Sequence, residues 1–248
     1  MATTKKVVLV TGGNAGIGFA LSRQIAQKGH KVWLGARNAT SGEEAATKLT
    51  QEGLKDVKSV RIDITDLASI VAAKEVIEKE DGKLDVLVNN AGISLMDKDQ
   101  NALSVDLELI RTCFETNFYG LIRTTQTFVP LVKAAAATSG YAVIVNVTSD
   151  MSSSTYQSRP DSQYHVVAYN TSKAAANSYS VALANELKAS NIKVNVVTPG
   201  YTSTKLNFFG QGGKDVADGA KVILPWALLD KDGATGLFMN EHGKEMPW

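Results

Sequence analysis

The chain has 248 residues, 44% of them hydrophobic, which suits a single α/β domain with a sizeable buried core. Its formal net charge of +1 gives no reason to expect nucleic acid or an anionic membrane surface as a partner. One cysteine (Cys113), three scattered histidines, no apolar stretch of membrane-spanning length and no room for a signal peptide before the first strand predict a cytoplasmic protein without disulfides or metal.

Short β-branched apolar runs alternate along the chain with segments of helical periodicity. Strands are predicted at Val7–Val10, Lys31–Gly35, Val57–Asp63, Leu84–Val88, Tyr141–Val147, Ile192–Val197 and Gly236–Met239. Helices are predicted at Ile17–Lys28, Gly42–Glu52, Leu67–Glu80, Asp106–Ala134, Ala168–Lys188 and Asp215–Leu229. This alternation predicts a doubly wound (Rossmann) parallel sheet of seven strands with helices on both faces, in one domain over residues 1–248. Within it we expect a cofactor half over about residues 1–145 and a catalytic half over about 146–248.

The first predicted strand runs directly into a glycine-rich turn, Thr11–Gly18, and a helix follows. Gly12, Gly16 and Gly18 allow a tight turn and let the backbone approach a pyrophosphate at the positive end of the helix. The spacing, Gly-x-x-x-Gly-x-Gly, differs from the common G-x-G-x-x-G, and a simple strand-to-helix turn needs only one glycine. We therefore predict a dinucleotide site at this turn.

Polar residues interrupt the apolar pattern where each of the next strands ends. In parallel sheets, ligands bind outside the carboxyl ends of the strands, although single residues of these types are also ordinary turn formers. Their recurrence predicts that one edge of the sheet carries the site, with contributions from Ala36–Asn38, Asp63–Ile64, Asn89–Gly92, Thr148–Asp150 and Pro199–Thr204.

Tyr169 and Lys173 lie four positions apart in a predicted helix and therefore share one of its faces. A lysine charge beside a phenol favours the phenolate, so we expect the pKa of Tyr169 to be lowered and the residue to serve as an acid or base. Taken alone, the pair could equally be a partly buried tyrosine next to a surface lysine. The motifs elsewhere in the chain favour the catalytic interpretation.

In their order and spacing, these motifs resemble those of the short-chain dehydrogenase/reductase family over essentially the whole chain. The resemblance rests on Thr11-Gly12, Gly16-Ile17-Gly18, Asp63, Asn90-Ala91-Gly92, Asn117, Ser149, Tyr169, Lys173 and Pro199–Thr204. The start Gly12-Gly13-Asn14 and the ending Gly236–Trp248 are similar to the carbonyl-reductase branch. The resemblance implies reversible hydride transfer between a nicotinamide cofactor and a ketone or aldehyde.

The resemblance also implies a role for each of four catalytic residues. Tyr169 gives its proton to the carbonyl oxygen, and Ser149 stabilises the same oxygen as an oxyanion-hole donor does. Lys173 holds the nicotinamide ribose and lowers the pKa of the tyrosine. Asn117 holds a water molecule that links Lys173 to solvent. In isolation, Asn117 could be a polar residue on a helix surface.

The cofactor is expected to extend along the edge of the sheet. By resemblance, Asp63 accepts a hydrogen bond from the adenine amine, and Asn90 positions the cofactor near its ribose. The residues implied in cofactor binding are Gly12, Asn14, Gly16, Ile17, Gly18, Arg37, Asn38, Asp63, Ile64, Asn90, Ala91, Gly92, Tyr169, Lys173, Pro199, Gly200, Thr202 and Thr204.

The end of the second strand favours NADP(H) over NAD(H). NAD-dependent relatives place an acid there to bind the ribose 2′-hydroxyl, whereas this chain has Ala36 followed by Arg37, which can pair with a 2′-phosphate. Arg37 could instead be a solvated loop residue. Many NADP-preferring relatives also carry a second basic residue in the glycine turn, where this chain has Ala15.

The substrate is expected to be a small carbonyl compound or alcohol that contacts Ser149, Met151, Tyr156, Tyr169 and Phe208. The segment Met151–His165 separates the serine from the tyrosine, so it is predicted to line or cover the pocket. Because of Pro160 and its serines, we expect an irregular lid rather than a helix or strand. A surface excursion is the alternative, and Leu95–Met96 could be either pocket wall or core.

Two other functions stay open at this point. The same site could work as an alcohol dehydrogenase in the oxidative direction, or the fold could serve a protein that binds a dinucleotide without catalysis. Sensing proteins typically lose the catalytic tyrosine or lysine, and this chain keeps both. The sequence leaves undecided whether the protein is a monomer or a homo-oligomer.

Overall fold

A computed structural model describes residues 4–162 and 164–248. Residues 1–3, on which the expectation of no signal peptide depends, lie outside the described residues. Position 163 of the Met151–His165 segment lies outside them as well. A seven-stranded parallel sheet has the order β3-β2-β1-β4-β5-β6-β7. Its strands are β1 Val7–Thr11, β2 Lys31–Ala36, β3 Val57–Arg61, β4 Val86–Asn89, β5 Ala142–Val147, β6 Ile192–Val197 and β7 Phe238–Met239.

Within the described ranges, eight α-helices connect the strands and cover both faces of the sheet. They are α1 Gly16–Gln27, α2 Ala39–Gln51, α3 Leu67–Asp81, α4 Leu107–Phe114, α5 Leu121–Ser139, α6 Ser154–Gln157, α7 Val167–Leu187 and α8 Val216–Ala227. Two helix ends follow directly from sequence. The Asp66 carboxylate accepts a hydrogen bond from the Ala68 N–H to cap α3, and Gly29 takes a positive φ of 85° just after α1.

The sheet has a hydrophobic core on each face, because alternate residues of a strand point in opposite directions. In β1, Val7 and Leu9 belong to one core cluster, whereas Val8 and Val10 belong to the other. Both faces are buried, which explains why the central strands β1, β4 and β5 are fully buried, whereas the edge strand β3 alternates between buried and exposed residues. The predicted single-domain, doubly wound architecture is confirmed. Among the described residues, no helix is both long and apolar enough to span a membrane.

Two predicted elements differ from the structure. The single helix predicted at Asp106–Ala134 is α4, a π-helical turn at Glu115–Gly120, and α5, which runs on to Ser139. The segment after Ser149, predicted as irregular, contains a 3₁₀ turn at Asp150–Ser152 and then α6. Its serines are the reason, because the Ser149 and Ser153 side chains accept hydrogen bonds from backbone N–H groups and cap these two short helices.

Candidate active site

Several of the predicted catalytic and cofactor residues line one cavity at the carboxyl edge of the sheet, whereas Asn117, the glycines of the turn and the residues after β2 and β3 do not. Ile17 comes from the first turn of α1, Ser149 from the segment just after β5, and Tyr169 and Lys173 from the first turns of α7. The walls are completed by residues that follow β4 and β6: Asn90, Gly92, Met96, Pro199, Gly200, Tyr201, Thr202, Thr204, Leu206 and Asn207. The start of α1 and three of the four predicted catalytic residues therefore share a single cavity.

Tyr169 and Lys173 are both buried on the inner face of α7. The Lys173 ammonium lies 5.9 Å from the centroid of the Tyr169 ring, and it donates a hydrogen bond to the Val147 carbonyl oxygen at 3.1 Å. Burial lowers the pKa of Lys173 to about 8.

The pKa of Tyr169 is raised, which differs from the expected lowering. Burial is the main cause, since the phenolate would lose its hydration, and the charge of Asp150 adds to the effect. The Ser149 hydroxyl opposes the rise by favouring the phenolate. Tyr169 is therefore held firmly in its protonated form, which is the form that can donate a proton.

The Ser149 hydroxyl is held by its own loop and, indirectly, by α7. Its oxygen accepts from the Met151 N–H at 3.2 Å, and it donates to Asp150 Oδ1 at 3.1 Å. The Ser149 carbonyl accepts a hydrogen bond from the Ser152 hydroxyl, and Ser152 in turn accepts from Asn177 Nδ2 at 2.8 Å. Because Asn177 lies on the same helix as Tyr169, α7 fixes the serine relative to the tyrosine.

Asn117 is 1% exposed within the π-helical turn, and hydrogen bonds occupy its side chain. Oδ1 accepts from the Ile93 N–H at 2.9 Å, while Nδ2 donates to the Ile93 carbonyl at 2.8 Å and to the Ser172 hydroxyl at 3.0 Å. The side chain thus joins the loop after β4 to α7. Because both Nδ2 hydrogens are used, a water molecule could bind this side chain only through the second lone pair of Oδ1.

The glycine turn has the geometry that a dinucleotide requires. Gly12 and Gly16 have positive φ angles of 64° and 53°. A Cβ on Gly18 would collide with the Gly12 carbonyl and the Asn90 side chain, whereas one on Gly16 would meet only Thr204, at 3.8 Å. Asn90 braces the turn by donating to the Thr11 carbonyl at 2.9 Å. The open space over Gly16, at the N-terminus of α1, fits a pyrophosphate.

The cavity surface beside Lys173 also leaves little room for a side chain at Gly92. A Cβ on Gly92 would lie 3.0 Å from Asn117 Oδ1 and 3.2 Å from the Lys173 ammonium. Only glycine keeps that surface open, so a ligand can approach the backbone beside Lys173. The described residues therefore fit a nicotinamide dinucleotide at both ends of the cavity.

The far end of the expected cofactor site lies beyond β2 and β3. Arg37 and Asn38 are exposed there. Asn38 Oδ1 accepts from the Ser41 N–H at 2.9 Å, and Asn14 Nδ2 donates to the Ser41 hydroxyl at 3.2 Å, which ties α2 to the glycine turn. Ser41 was not predicted from the sequence, since a serine in the first turn of a helix belongs to no recognisable binding motif.

Asp63 and Ile64 follow β3. Although burial acts in the opposite direction, hydrogen bonds from Thr65 and the charges of Arg37 and Arg61 hold the pKa of Asp63 below its usual value. The Ile64 side chain is 8% exposed and packs in the core. Any contact of Ile64 with a cofactor would therefore be made by its backbone.

The substrate residues expected from sequence separate into two groups. Met151 lines the catalytic cavity with Ser149 and Tyr169. Tyr156 instead packs against the cluster of Val196, Phe238 and Met246, and Phe208 is 60% exposed and does not line the cavity. Neither Tyr156 nor Phe208 lines the catalytic cavity, so their contact with a substrate stays a prediction.

The apolar wall comes instead from residues near the predicted ones in sequence. Phe208 has a positive φ of 54°, just beyond a short 3₁₀ turn at Lys205–Asn207, and it is Leu206 in that turn that lines the cavity. Met96, Tyr164 and Tyr201 complete the wall. Leu206 was missed because it belongs to no motif, and Tyr201 because its motif, Pro199–Thr204, was assigned to the cofactor.

Comparison with known proteins agrees with this geometry. Residues 6–209 match the family model described as short chain dehydrogenase. The short-chain dehydrogenase anuI of Penicillium roqueforti is 36% identical over 229 residues, covering 90% of this chain and 88% of that protein. The (-)-isopiperitenone reductase of Mentha piperita is 31% identical over 311 residues, covering 96% and 97%.

A solved structure has the same architecture over almost its full length. The NADPH-bound carbonyl reductase from chicken fatty liver superposes with a TM-score of 0.84 at 26% identity, covering 98% of this chain and 99% of that one. The family model spans most of the chain, and the two curated relatives match along nearly their whole lengths. This chain therefore belongs to the short-chain dehydrogenase family and is an NAD(P)-dependent oxidoreductase.

Proposed function

We propose that this enzyme reduces a ketone or aldehyde to the alcohol with NADPH, and that Tyr169 is the general acid. The observation that carries the proposal is the single cavity lined by Ser149, Tyr169 and Lys173 together with Ile17, which lies between Gly16 and Gly18 at the start of α1. A carbonyl group bound there would lie between the proton donor and the cofactor. We expect the protein to act in the cytoplasm on a small molecule.

The roles of the residues follow from their protonation. When bound, the nicotinamide supplies the hydride for the carbonyl carbon. Tyr169, kept protonated by burial, would donate its hydroxyl proton to the carbonyl oxygen, and the Ser149 hydroxyl would turn from Asp150 to donate a hydrogen bond to the same oxygen. Lys173 would hold the ribose, and its positive charge would stabilise the phenolate left after proton donation.

The preference for NADPH rests on charge at the far end of the cavity. Arg37 is exposed directly after β2, and Arg61 ends the adjacent strand, where Ala36 pairs with it. Ala36 has no carboxylate that would repel a 2′-phosphate. Arg37 can therefore make a charge-assisted bond to that phosphate, which NADH lacks. The chicken liver carbonyl reductase, described as NADPH bound, supports the same choice.

The walls favour an apolar substrate. Met96, Met151, Tyr164 and Leu206 surround the space beside Ser149 and Tyr169. Methionine side chains adapt to irregular apolar shapes. A neutral alicyclic or aromatic carbonyl compound fits these walls better than an ionised acid. The match to a reductase named for isopiperitenone is consistent with this class.

The test is a panel of neutral and charged ketones and aldehydes, assayed with NADPH and with NADH through the loss of cofactor absorbance. We expect turnover of apolar ketones, with NADPH preferred. The reverse reaction, alcohol with NADP⁺, separates a reductase from an enzyme that works mainly in oxidation. Tight cofactor binding without turnover of any carbonyl or alcohol would contradict the proposal and favour a dinucleotide-sensing protein.

A further inference from the structure

Gln100 lies in the loop between β4 and α4, outside every motif used so far, yet it is only 3% exposed. Its side-chain amide and its backbone carbonyl all form hydrogen bonds with backbone groups of other residues. Its side-chain Nε2 donates to the carbonyl oxygens of Ser94 at 2.8 Å and Leu95 at 2.7 Å. Its side-chain Oε1 accepts from the backbone N–H of Tyr169 at 3.1 Å, and its own carbonyl accepts from the Val167 N–H at 3.1 Å.

These bonds meet a need at the start of α7. The first N–H groups of a helix have no partner within the helix, and a polar residue just before it usually supplies one. Here that position is Val166, whose side chain makes no capping hydrogen bond. Gln100 supplies two acceptors from a distant part of the chain, and one of them binds the N–H of Tyr169 itself.

The other end of Gln100 holds a pocket wall. Leu95 has a positive φ of 52°, a conformation that leucine rarely adopts and that persists only when the surroundings enforce it. The bond from Gln100 to its carbonyl is one such constraint. The next residue, Met96, lines the catalytic cavity, and the Ser94 hydroxyl donates to the carbonyl of Leu206, which lines the same cavity.

We propose that Gln100 is a positioning residue, which sets the placement of the Tyr169 hydroxyl relative to the pocket wall formed by Met96. The inference rests on the proposed function, because it assigns Tyr169 the proton transfer. Gln100 itself touches neither substrate nor cofactor. It acts through two backbone segments: the first turn of α7 and residues 94–96.

Two substitutions at position 100 separate the two ends of this clamp. Gln100→Met has a similar length and loses all three side-chain hydrogen bonds, so both segments lose their contact with this side chain, while the backbone bond from the Val167 N–H to the carbonyl of residue 100 remains. Gln100→Glu keeps an oxygen that can accept from the Tyr169 N–H, and its charge is favourable at a helix N-terminus. It loses both donations to the loop and repels the two carbonyls. Asn101→Ala, at an exposed neighbour that bonds to Asp99, is the matched control.

For Gln100→Met we expect kcat to fall roughly ten- to hundredfold, because small misplacements of a catalytic group have effects of this size. The pH profile of kcat should shift, while the dissociation constant of NADPH stays within about threefold of wild type. Gln100→Glu should retain most of kcat and raise the KM of the ketone. Loss of thermal stability alone, with normal kcat and pH profile in the folded enzyme, would overturn the proposal.

Hydrogen exchange measured by mass spectrometry tests the clamp without catalysis. In the cofactor-free enzyme, Gln100→Met should speed exchange in peptides covering both 94–98 and 166–171, whereas Gln100→Glu should affect mainly 94–98. Unchanged exchange in both peptides would overturn the clamp even if the variant failed in assays. If wild type reduced no carbonyl compound, the proposed function would fall, and these exchange rates would still decide the clamp.

Discussion

At the scale of single residues, Tyr169 carries the chemistry. Tyr169→Phe removes only the hydroxyl, so the cavity and the cofactor residues keep their shape. We expect kcat to fall to near the detection limit, because no other side chain is assigned to donate the proton, while NADPH still binds. The measurements are steady-state turnover and a fluorescence titration with NADPH. A variant with near-normal kcat would exclude Tyr169 as the acid.

Arg37 should decide between the two cofactors. Arg37→Ala removes a charge-assisted bond worth about 1.5–3 kcal/mol, which corresponds to roughly ten- to hundredfold in affinity. The KM for NADPH should rise by this factor, and the KM for NADH should stay nearly unchanged. Arg111→Ala, which removes an exposed arginine paired with Glu108 on α4, is the control. Equal changes for both cofactors would show that Arg37 is a loop residue without a phosphate contact.

Lys173 links the active site to stability. Its pKa is lowered to about 8 in the folded protein and lies near 10.5 when the chain unfolds. Between these values the unfolded state binds more protons, so this residue makes stability rise with pH, by about 1.4 kcal/mol per pH unit at most. The free energy of unfolding of wild type minus that of Lys173→Met should therefore increase from pH 8 to pH 9. A difference that stays constant with pH would show that burial does not lower the pKa of Lys173 in the folded protein.

At the scale of secondary-structure elements, the sequence predicts some strands and turns well. Strands such as β1 are found because buried parallel strands are continuous β-branched runs, and the glycine turn has a stereochemical signature. The π-helical turn around Asn117 is not found, because six residues are too few to change a helical periodicity. Gln100 is missed because it stands in a polar loop, and only the folded chain brings it to Tyr169.

The short helices and long-range bonds of the Met151–His165 segment were also not predicted from the sequence, and they suggest a test of what the segment does. Long-range bonds hold its first half: the Ser153 hydroxyl donates to the Pro247 carbonyl at 2.6 Å, and Asn177 donates to Ser152. The exposed turn at Arg159–Asp161 makes fewer connections, and Tyr164 beyond it lines the cavity. Lids of this kind control access to a site.

Replacing Arg159–Asp161 with one glycine should move Tyr164 without disturbing Ser149. We expect the order of kcat/KM among ketones to change, while NADPH binding and the pH profile remain those of wild type. The substrate panel provides the measurement, and Tyr164→Ala is the matched variant that alters the wall without shortening the chain. An unchanged order in both variants would show that the segment is a surface excursion.

For the whole molecule, the cofactor cavity and the sheet couple the two halves of the chain. The boundary between the halves falls within β5, which pairs with β4 of the first half and β6 of the second, and the cavity takes residues from both halves. We expect one cooperative unfolding transition. NADPH at 100 times its dissociation constant should stabilise the folded state by about 2.7 kcal/mol, which is roughly 5–10 °C in Tm for a domain of this size.

NADPH should raise Tm more than NADH at the same concentration, since only NADPH offers the 2′-phosphate to Arg37. In Arg37→Ala the two shifts should become equal, and in Tyr169→Phe both should persist, because the phenol acts in catalysis and the cavity is otherwise intact. Differential scanning calorimetry of wild type, Arg37→Ala and Tyr169→Phe with each cofactor measures these shifts in Tm. Two separate transitions, of which NADPH moved only the first, would contradict a single cooperative domain and show that residues 146–248 unfold without regard to the cofactor.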